Sequence, residues 1–166
     1  AIIHKILPRF SILKRKAVGQ LGEIQIIATN IDYAFIMQAA TQDFNINRLE
    51  RYLRICNTSK VKPVIVISKV DLIDQTKIDN LKQLINSRID DVLIFAISNE
   101  SKFGYEEILN FMQQAKTYCL LGSSGVGKST LLNNLLGKNI MRTEEISHST
   151  NKGRHITSHR ELFVLE

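Results

Sequence analysis

One eight-residue stretch of the chain has the residue types and spacing to bind phosphate. Residues 122 to 129 read GSSGVGKS and fit the pattern G-x-x-x-x-G-K-[ST]. The glycines let successive backbone N–H groups turn toward one anion, and a following helix adds positive potential at its N-terminus. The competing interpretation is an ordinary glycine-rich turn. Because the stretch lies between a predicted strand and a predicted helix, the context the pattern requires, we predict a phosphate-binding loop.

Two residues at the end of this loop have specific chemistry. The Lys128 ammonium is placed to reach the β- and γ-phosphates of a nucleotide, and the Ser129 hydroxyl is placed to ligate Mg²⁺. The expected ligand is therefore a nucleoside di- or triphosphate with its magnesium ion.

A second motif suggests which base is bound. The apolar run from Val64 to Ile67 ends in Ser68, Lys69, Val70 and Asp71, which resembles the N-K-x-D guanine motif of GTPases. A carboxylate at the carboxyl end of a strand can accept hydrogen bonds from guanine N1–H and the 2-amino group, whereas adenine offers no matching pair. The alternative is a solvated charged loop.

The next predicted strand ends in a related way. Ser98 and Asn99 follow an apolar run, and Gly104 precedes the next helical pattern, which resembles the S-A-x-x-G element that follows N-K-x-D. Asn99 stands where that element has alanine, and Ser68 stands where N-K-x-D has asparagine. Two such elements after consecutive strands favour guanine.

The elements that must position these loops follow from hydrophobic periodicity. Continuous Val, Ile and Leu runs alternate with helical patterns, which predicts an α/β fold with a doubly wound, mostly parallel sheet. The predicted strands are 24–28, 34–37, 63–67, 92–97, 118–121 and 161–165. The predicted helices are 46–56, 78–85, 105–112 and 131–136. Residues 137–160 are predicted to form a long loop.

The order of the motifs is unusual, because the guanine motif precedes the phosphate loop in the chain. A circular permutation keeps the spatial contacts of a site when the original termini lie close together. We therefore predict a circularly permuted GTPase domain.

Composition narrows the remaining possibilities. The 166 residues are 44% hydrophobic and 23% charged, with a net charge of +6, which fits one globular core and a polyanionic partner. The two cysteines provide neither a disulfide framework nor metal-ligand spacing. No apolar run is long enough to span a membrane, and the first residues lack the apolar region of a signal peptide, so a cytoplasmic protein is expected.

Several further motifs carry a resemblance to one family. They are Pro8-Arg9, Arg15-Lys16-Ala17, Ala28-Thr-Asn-Ile-Asp32, Phe44-Asn45 with Arg48, Glu50-Arg51-Tyr52-Leu53, GSSGVGKST, Lys152-Gly-Arg-His155 and His159-Arg-Glu-Leu162. With the guanine motifs they resemble the circularly permuted, ribosome small subunit-dependent GTPases of the RsgA/YjeQ/EngC type. The resemblance runs over essentially the whole chain.

The resemblance implies a P-loop GTPase fold and a domain division. Residues 1–22 would be the last part of an N-terminal OB-fold domain, and residues 23–166 would be the permuted GTPase domain. A switch II segment, D-x-P-G, would follow residue 166. A zinc ion would belong only to a C-terminal domain whose ligands are not among these residues.

The resemblance also implies an activity and a set of site residues. The protein would bind GTP or GDP with Mg²⁺, hydrolyse GTP, and act with the small ribosomal subunit, its 16S rRNA and its proteins in late subunit maturation, as a monomer. The implied nucleotide contacts are Ser68, Lys69, Asp71, Ser98, Asn99, Gly122, Ser123, Ser124, Gly125, Val126, Gly127, Lys128, Ser129 and Thr130. Lys128 and Thr157 would be catalytic, and Ser129 and Thr157 would ligate the metal.

Two other functions remain open from the sequence. One is a P-loop ATPase or small-molecule kinase, which would not depend on Asp71. The other is a non-catalytic rRNA-binding module that uses the basic stretches 5–16 and 148–160.

Overall fold

The structure, a computed structural model, describes residues 3–16, 24–41, 43–141 and 161–165. Its first two strands, β1 (Ile12–Lys16) and β2 (Ile24–Thr29), pair in antiparallel fashion and form a two-stranded sheet of their own. The predicted domain boundary near residues 20–23 falls between these two strands. The domain division and the OB-fold assignment therefore stay predictions.

Four parallel strands form the central sheet. They are β3 (Tyr33–Ala39), β4 (Lys62–Ser68), β5 (Leu93–Ala96) and β6 (Tyr118–Gly122). Their order across the sheet is β5-β4-β3-β6. The helices are α1 (Ile46–Thr58), α2 (Gln75–Asn86), α3 (Tyr105–Phe111) and α4 (Lys128–Leu136).

Both faces of this sheet are covered, which is why its strands are continuous apolar runs. Along β3, Ala34 and Ile36 belong to the core layer that contains buried residues of α1 and α2. Phe35 and Met37 belong to the opposite layer, which contains buried residues of α3 and α4. The predicted doubly wound α/β fold is confirmed.

The strand order brings the polar loops together at one point. From β3 the chain steps outward through β4 to β5, and then crosses to β6 on the other side of β3. The direction of winding therefore reverses between β3 and β6. In open α/β sheets, ligands bind outside the carboxyl ends of the strands at such a reversal. The loop after β6 is the predicted phosphate loop.

The β1–β2 hairpin is fastened to the opposite end of the central sheet. The Ser11 hydroxyl donates to the carbonyl of Ile31 at 2.8 Å and accepts from the Ile31 N–H at 2.7 Å. The N–H of Ile12 donates to the Ser59 carbonyl at 3.3 Å, and Leu13 is buried in the core layer with α1. The hairpin therefore packs against the start of β3 and the end of α1.

One predicted strand does not form. Residues 161–165 have no regular secondary structure, and Leu162 and Val164 are highly exposed. A strand is held by hydrogen bonds to a neighbouring strand, and none of the described strands pairs with this segment. The strand predicted at 161–165 from its apolar residues is therefore wrong.

Candidate nucleotide-binding site

The predicted phosphate loop connects β6 to α4, and three of its glycines adopt backbone angles that suit glycine. Gly122, Gly125 and Gly127 have φ values of 150°, 78° and 91°. A Cβ on Gly122 would lie 2.5 Å from the Met37 carbonyl oxygen, because β6 runs directly beside β3 there. Glycine is thus required both by the turn and by the close approach of two strands.

The N–H groups of this loop are available to an anion. Among the described residues, the backbone N–H groups of Ser124, Gly125, Val126 and Gly127 have no acceptor. Ser124 and Gly125 are exposed, so their amides face solvent without loss of a hydrogen bond. Amides that converge before a helix N-terminus fit phosphate oxygens. The residues present therefore fit a nucleotide's phosphates.

Lys128 lies across the loop that precedes it. Its Nζ donates to the carbonyl oxygens of Gly122 at 2.9 Å and Ser123 at 2.6 Å. Burial lowers the pKa of the Lys128 ammonium from its ordinary value. A desolvated ammonium interacts strongly with an anion that replaces the missing water, so this position suits phosphate binding.

The end of β4 touches the phosphate loop directly. The Ser68 hydroxyl donates to the Val126 carbonyl at 2.7 Å, and it also approaches the Gln38 carbonyl at 3.3 Å. Ser68 is fully buried, so this hydroxyl cannot exchange its partner for water. The shorter side chain at the position of the usual asparagine still reaches the phosphate loop.

The residues after Ser68 form a tight turn that exposes the predicted base-binding side chains. Lys69 has a φ of 60°, and a short 3₁₀ turn covers Val70–Leu72. The Asp71 side chain lies on this turn and is exposed. Its carboxylate is therefore free to meet a base at the carboxyl end of β4, although the described residues show no contact between Asp71 and the phosphate loop.

The loop after β5 is ordered by Ser98 and joined to the phosphate loop by Asn99. The buried Ser98 hydroxyl accepts from the N–H groups of Glu100 and Ser101, both at 3.2 Å. The Asn99 Nδ2 donates to the Gly127 carbonyl at 3.1 Å. Among the described residues, the Asn99 backbone N–H has no acceptor, so it is available to a base carbonyl.

Not every predicted site residue is brought to a contact. Ser129 and Thr130 lie in the first turn of α4 and are half-buried, and within the described chain their hydroxyls have no hydrogen-bond partner. Thr157, the predicted second metal ligand, lies outside the described residues. Its role stays a prediction.

Two residues that were not predicted to belong to the site, Arg48 and Gln38, support the phosphate loop from the side of α1. The Arg48 guanidinium in the first turn of α1 donates to the Ser123 hydroxyl at 2.8 Å. The buried Gln38 side chain bonds both the N–H and the carbonyl of Asn45, at 2.8 Å each, and so fixes the start of α1. A glutamine inside the apolar β3 run was the one available signal, because buried polar side chains need partners.

Two negative observations apply to the described ranges only. They contain no group of three or more His, Cys, Asp or Glu side chains arranged to hold a metal ion. None of the described helices is long and apolar enough to cross a membrane.

Comparison with known sequences identifies the family. The sequence model of the family described as RsgA GTPase matches residues 6–166. The chain belongs to the RsgA GTPase family. The family and the permuted order of the motifs, both predicted from the sequence, are thus confirmed.

Relatives in the RsgA family share about two fifths of their aligned residues with the chain. It is 39% identical over 163 residues to the small ribosomal subunit biogenesis GTPase RsgA of Opitutus terrae, covering 98% of this chain and 44% of that protein. It is 42% identical over 165 residues to a second such protein, RsgA 2 of Lactiplantibacillus plantarum, covering 99% and 46%. The chain therefore spans less than half the length of these relatives.

Two solved structures related to the RsgA family share the fold. YjeQ from Thermotoga maritima matches with a TM-score of 0.62 and 24% identity, covering 78% of this chain and 43% of that one. YloQ, described as a circularly permuted GTPase, matches with a TM-score of 0.57 and 25% identity, covering 80% and 51%. The overall fold is thus common to these proteins.

Proposed function

We propose that this chain is the guanine-nucleotide-binding and GTP-hydrolysing part of a protein that acts in maturation of the small ribosomal subunit. The observation that carries the proposal is the direct contact of both base-side loops with the phosphate loop, through Ser68 to Val126 and through Asn99 to Gly127. These contacts hold the ends of β4 and β5 against the loop that precedes Lys128. A nucleotide with a guanine at one end and phosphates at the other suits that surface.

Each part of the proposed site has one task. Asp71 accepts hydrogen bonds from the guanine edge, the Lys69 stem lies along the base, and the Asn99 N–H donates to the base carbonyl. The loop from Gly122 to Gly127, with the Lys128 ammonium, holds the phosphates. These roles follow from the residue types and their places at the carboxyl ends of the strands.

Two residues are proposed as ligands of the metal ion. Ser129 and Thr157 would hold Mg²⁺, which would neutralise charge on the transferring phosphoryl group when bound. The chain itself contributes positioning of the phosphates and the Lys128 charge. Thr130 follows in the first turn of α4, at the helix N-terminus that would face the same anion.

The ribosomal role rests on the relatives, whose names describe them as small ribosomal subunit biogenesis GTPases. We propose the small subunit, through its 16S rRNA and proteins, as the partner, and a monomeric protein in the cytoplasm. Stimulation of hydrolysis by the subunit and a zinc ion in a further domain belong to the same proposal. The positive net charge of +6 suits an RNA partner.

Nucleotide titration tests the base and the activity class together. Fluorescent GDP should bind the wild-type chain and be displaced by GTP, while ATP should compete only at far higher concentration. Asp71→Ala should weaken GDP binding by about tenfold or more, because two hydrogen bonds to the guanine edge are lost. Asp90→Ala, which removes an exposed carboxylate elsewhere, should bind as wild type does.

The outcomes separate the proposal from its rivals. Equal competition by ATP, with no effect of Asp71→Ala, would indicate an ATPase or kinase. Salt-sensitive rRNA binding that is indifferent to Lys128→Ala, with no nucleotide binding, would indicate an RNA-binding module. GTP hydrolysis by the full-length protein that is the same with and without small subunits would contradict the proposed stimulation.

A further inference from the structure

One asparagine joins three elements around the site. The Asn99 side chain donates through Nδ2 to the Gly127 carbonyl at 3.1 Å and accepts at Oδ1 from the Tyr105 hydroxyl at 2.7 Å. Asn134, on α4, donates to the Tyr105 oxygen at 2.9 Å and to the Asn99 carbonyl oxygen at 3.1 Å. The loop after β5, the start of α3 and the phosphate loop with α4 are thus linked through four hydrogen bonds.

The hydrogen bonds of this cluster fix the orientation of the Asn99 side-chain amide. Tyr105 has a single proton, which it gives to Asn99, so its oxygen accepts from Asn134. Burial raises the pKa of the Tyr105 hydroxyl, so it remains a donor throughout the physiological range. The Asn99 amide is therefore oriented with its nitrogen toward the phosphate loop, because rotation would place two acceptors, the Asn99 Oδ1 and the Gly127 carbonyl oxygen, opposite each other.

The Asn99 amide also lies directly against Gly127. A Cβ on Gly127 would collide with Asn99 Nδ2, and the Gly127 φ of 91° already disfavours other residues. The Gly127 carbonyl additionally accepts from the Leu131 N–H at 2.9 Å, which is the first bond of α4. Asn99 therefore acts at the residue where the phosphate loop becomes the helix.

We propose that Asn99 is a positioning residue that holds the phosphate loop in register with the base-side loop, so that binding of the nucleotide β-phosphate depends on its side chain. This inference rests on the proposed guanine-nucleotide function and adds a residue role to it. Asn99 reaches the phosphates only through Gly127 and α4. It acts on the phosphate end of the ligand although its own backbone faces the base end.

Comparison of GDP with GMP isolates this effect, because GMP lacks the β-phosphate that the loop cradles. In competition titrations on the 166-residue chain, Asn99→Ala should weaken GDP binding by about five- to tenfold, the usual effect of one lost hydrogen bond. Its affinity for GMP should stay within about twofold of wild type. The GDP-to-GMP affinity ratio is therefore the readout.

Matched variants test whether the cluster acts as a unit. Tyr105→Phe removes only the hydroxyl and should lower the same ratio, and Asn99→Ala combined with Tyr105→Phe should be no worse than Asn99→Ala alone. Tyr118→Phe is the control, because its hydroxyl accepts from the Gln113 N–H at 2.9 Å away from the phosphate loop. Its ratio should equal that of wild type.

Three results would overturn the inference. They are an unchanged ratio in Asn99→Ala with only a lowered melting temperature, an equal loss of GDP and GMP affinity, and additive effects of Asn99→Ala and Tyr105→Phe. Failure of the proposed function looks different, because the wild-type chain would then not bind GDP or would bind ATP equally well.

Discussion

The hydroxyl of Ser68, at the carboxyl end of β4, donates a 2.7 Å hydrogen bond to the carbonyl of Val126 in the phosphate loop. These residues are 58 positions apart in the chain. The bond joins a base-side strand to the phosphate cradle across β3. It is also fully buried, which makes it sensitive to small changes.

Ser68→Ala should destabilise the fold. It removes the described donor of the Val126 carbonyl in a buried place, so the free energy of unfolding should fall by about 2 kcal/mol. Urea unfolding of the chain measures this loss. Ser87→Ala is the matched control, because its exposed hydroxyl donates to the Leu84 carbonyl at 2.8 Å, and water can replace that bond. Equal losses in the two variants would show that burial of Ser68 is unimportant.

Arg48→Ala should weaken nucleotide binding without a change of base preference. The guanidinium bonds Ser123 at 2.8 Å, so its loss frees one side of the phosphate loop and removes a nearby positive charge. We expect about a fivefold loss of GDP affinity by fluorescence titration. Arg51→Ala removes an exposed arginine of the same helix and should have little effect.

The contact between Arg48 and Ser123 can be separated from the charge itself. Ser123→Ala should produce part of the same loss, and the double variant should be less impaired than the sum of the single variants. Strict additivity would mean that Arg48 acts through long-range charge alone.

Gly122→Ala should be far more damaging than Gly137→Ala. The Cβ of the former would lie 2.5 Å from the Met37 carbonyl oxygen, whereas a Cβ on Gly137 would have no atom of the described residues within 4 Å apart from its chain neighbours and its own helix. Gly137→Ala should lower the free energy of unfolding by about 1 kcal/mol, because only the φ of 63° disfavours a side chain there, whereas Gly122→Ala should lower it by about 3 kcal/mol. Urea unfolding of both variants provides the comparison. Similar losses would mean that β3 and β6 can separate at Gly122 without cost.

Both cysteines should be unreactive in the folded chain. Burial raises the pKa of Cys56 to about 11 and that of Cys119 to about 12, so neither forms thiolate near neutral pH. Iodoacetamide labelling at pH 8, followed by mass spectrometry, should modify both thiols in urea and neither in buffer. Rapid labelling of folded Cys119, which is partly buried, would contradict its raised pKa.

The same shifts predict a loss of stability in alkali. The pKa of each thiol is higher in the folded state than its ordinary value of 9.0, so above that pH the folded state binds more protons than the unfolded state. The contribution is complete below pH 9 and is lost as the pH rises toward 11 and 12. Unfolding free energies measured between pH 8 and pH 10.5 should fall less steeply for Cys119→Ser than for wild type.

The sheet and the phosphate loop could be predicted from the sequence because their signals are local. A run such as Val64–Ile67 is apolar throughout since both faces of β4 are covered, and glycine spacing alone marks residues 122–127. A strand at 24–28 was also predicted, and the strand that forms there, Ile24–Thr29, pairs with β1 rather than with the central sheet. Its Ile24 is mostly exposed, so an apolar run did not mean burial there.

The connections between the loops could not be predicted because they depend on packing. Nothing in the sequence near Asn99 shows that its side chain turns onto Gly127, since that contact needs β5, α3 and α4 in place. The same holds for Arg48 and Ser123, which are separated by 75 positions. Residue type identified the site, and long-range geometry determined how its parts are braced.

The β3 strand connects the β1–β2 hairpin to the phosphate loop. At the start of this strand, Ile31 forms two hydrogen bonds with the Ser11 hydroxyl. Near its other end, Met37 pairs with Gly122 of the phosphate loop. From Tyr33 to Met37 the extended backbone pairs with β4 on one side and with β6 on the other. At the rise of an extended strand, the segment from Ile31 to Met37 is about 20 Å long. The hairpin and the phosphate loop therefore contact the two ends of a single strand of the central sheet.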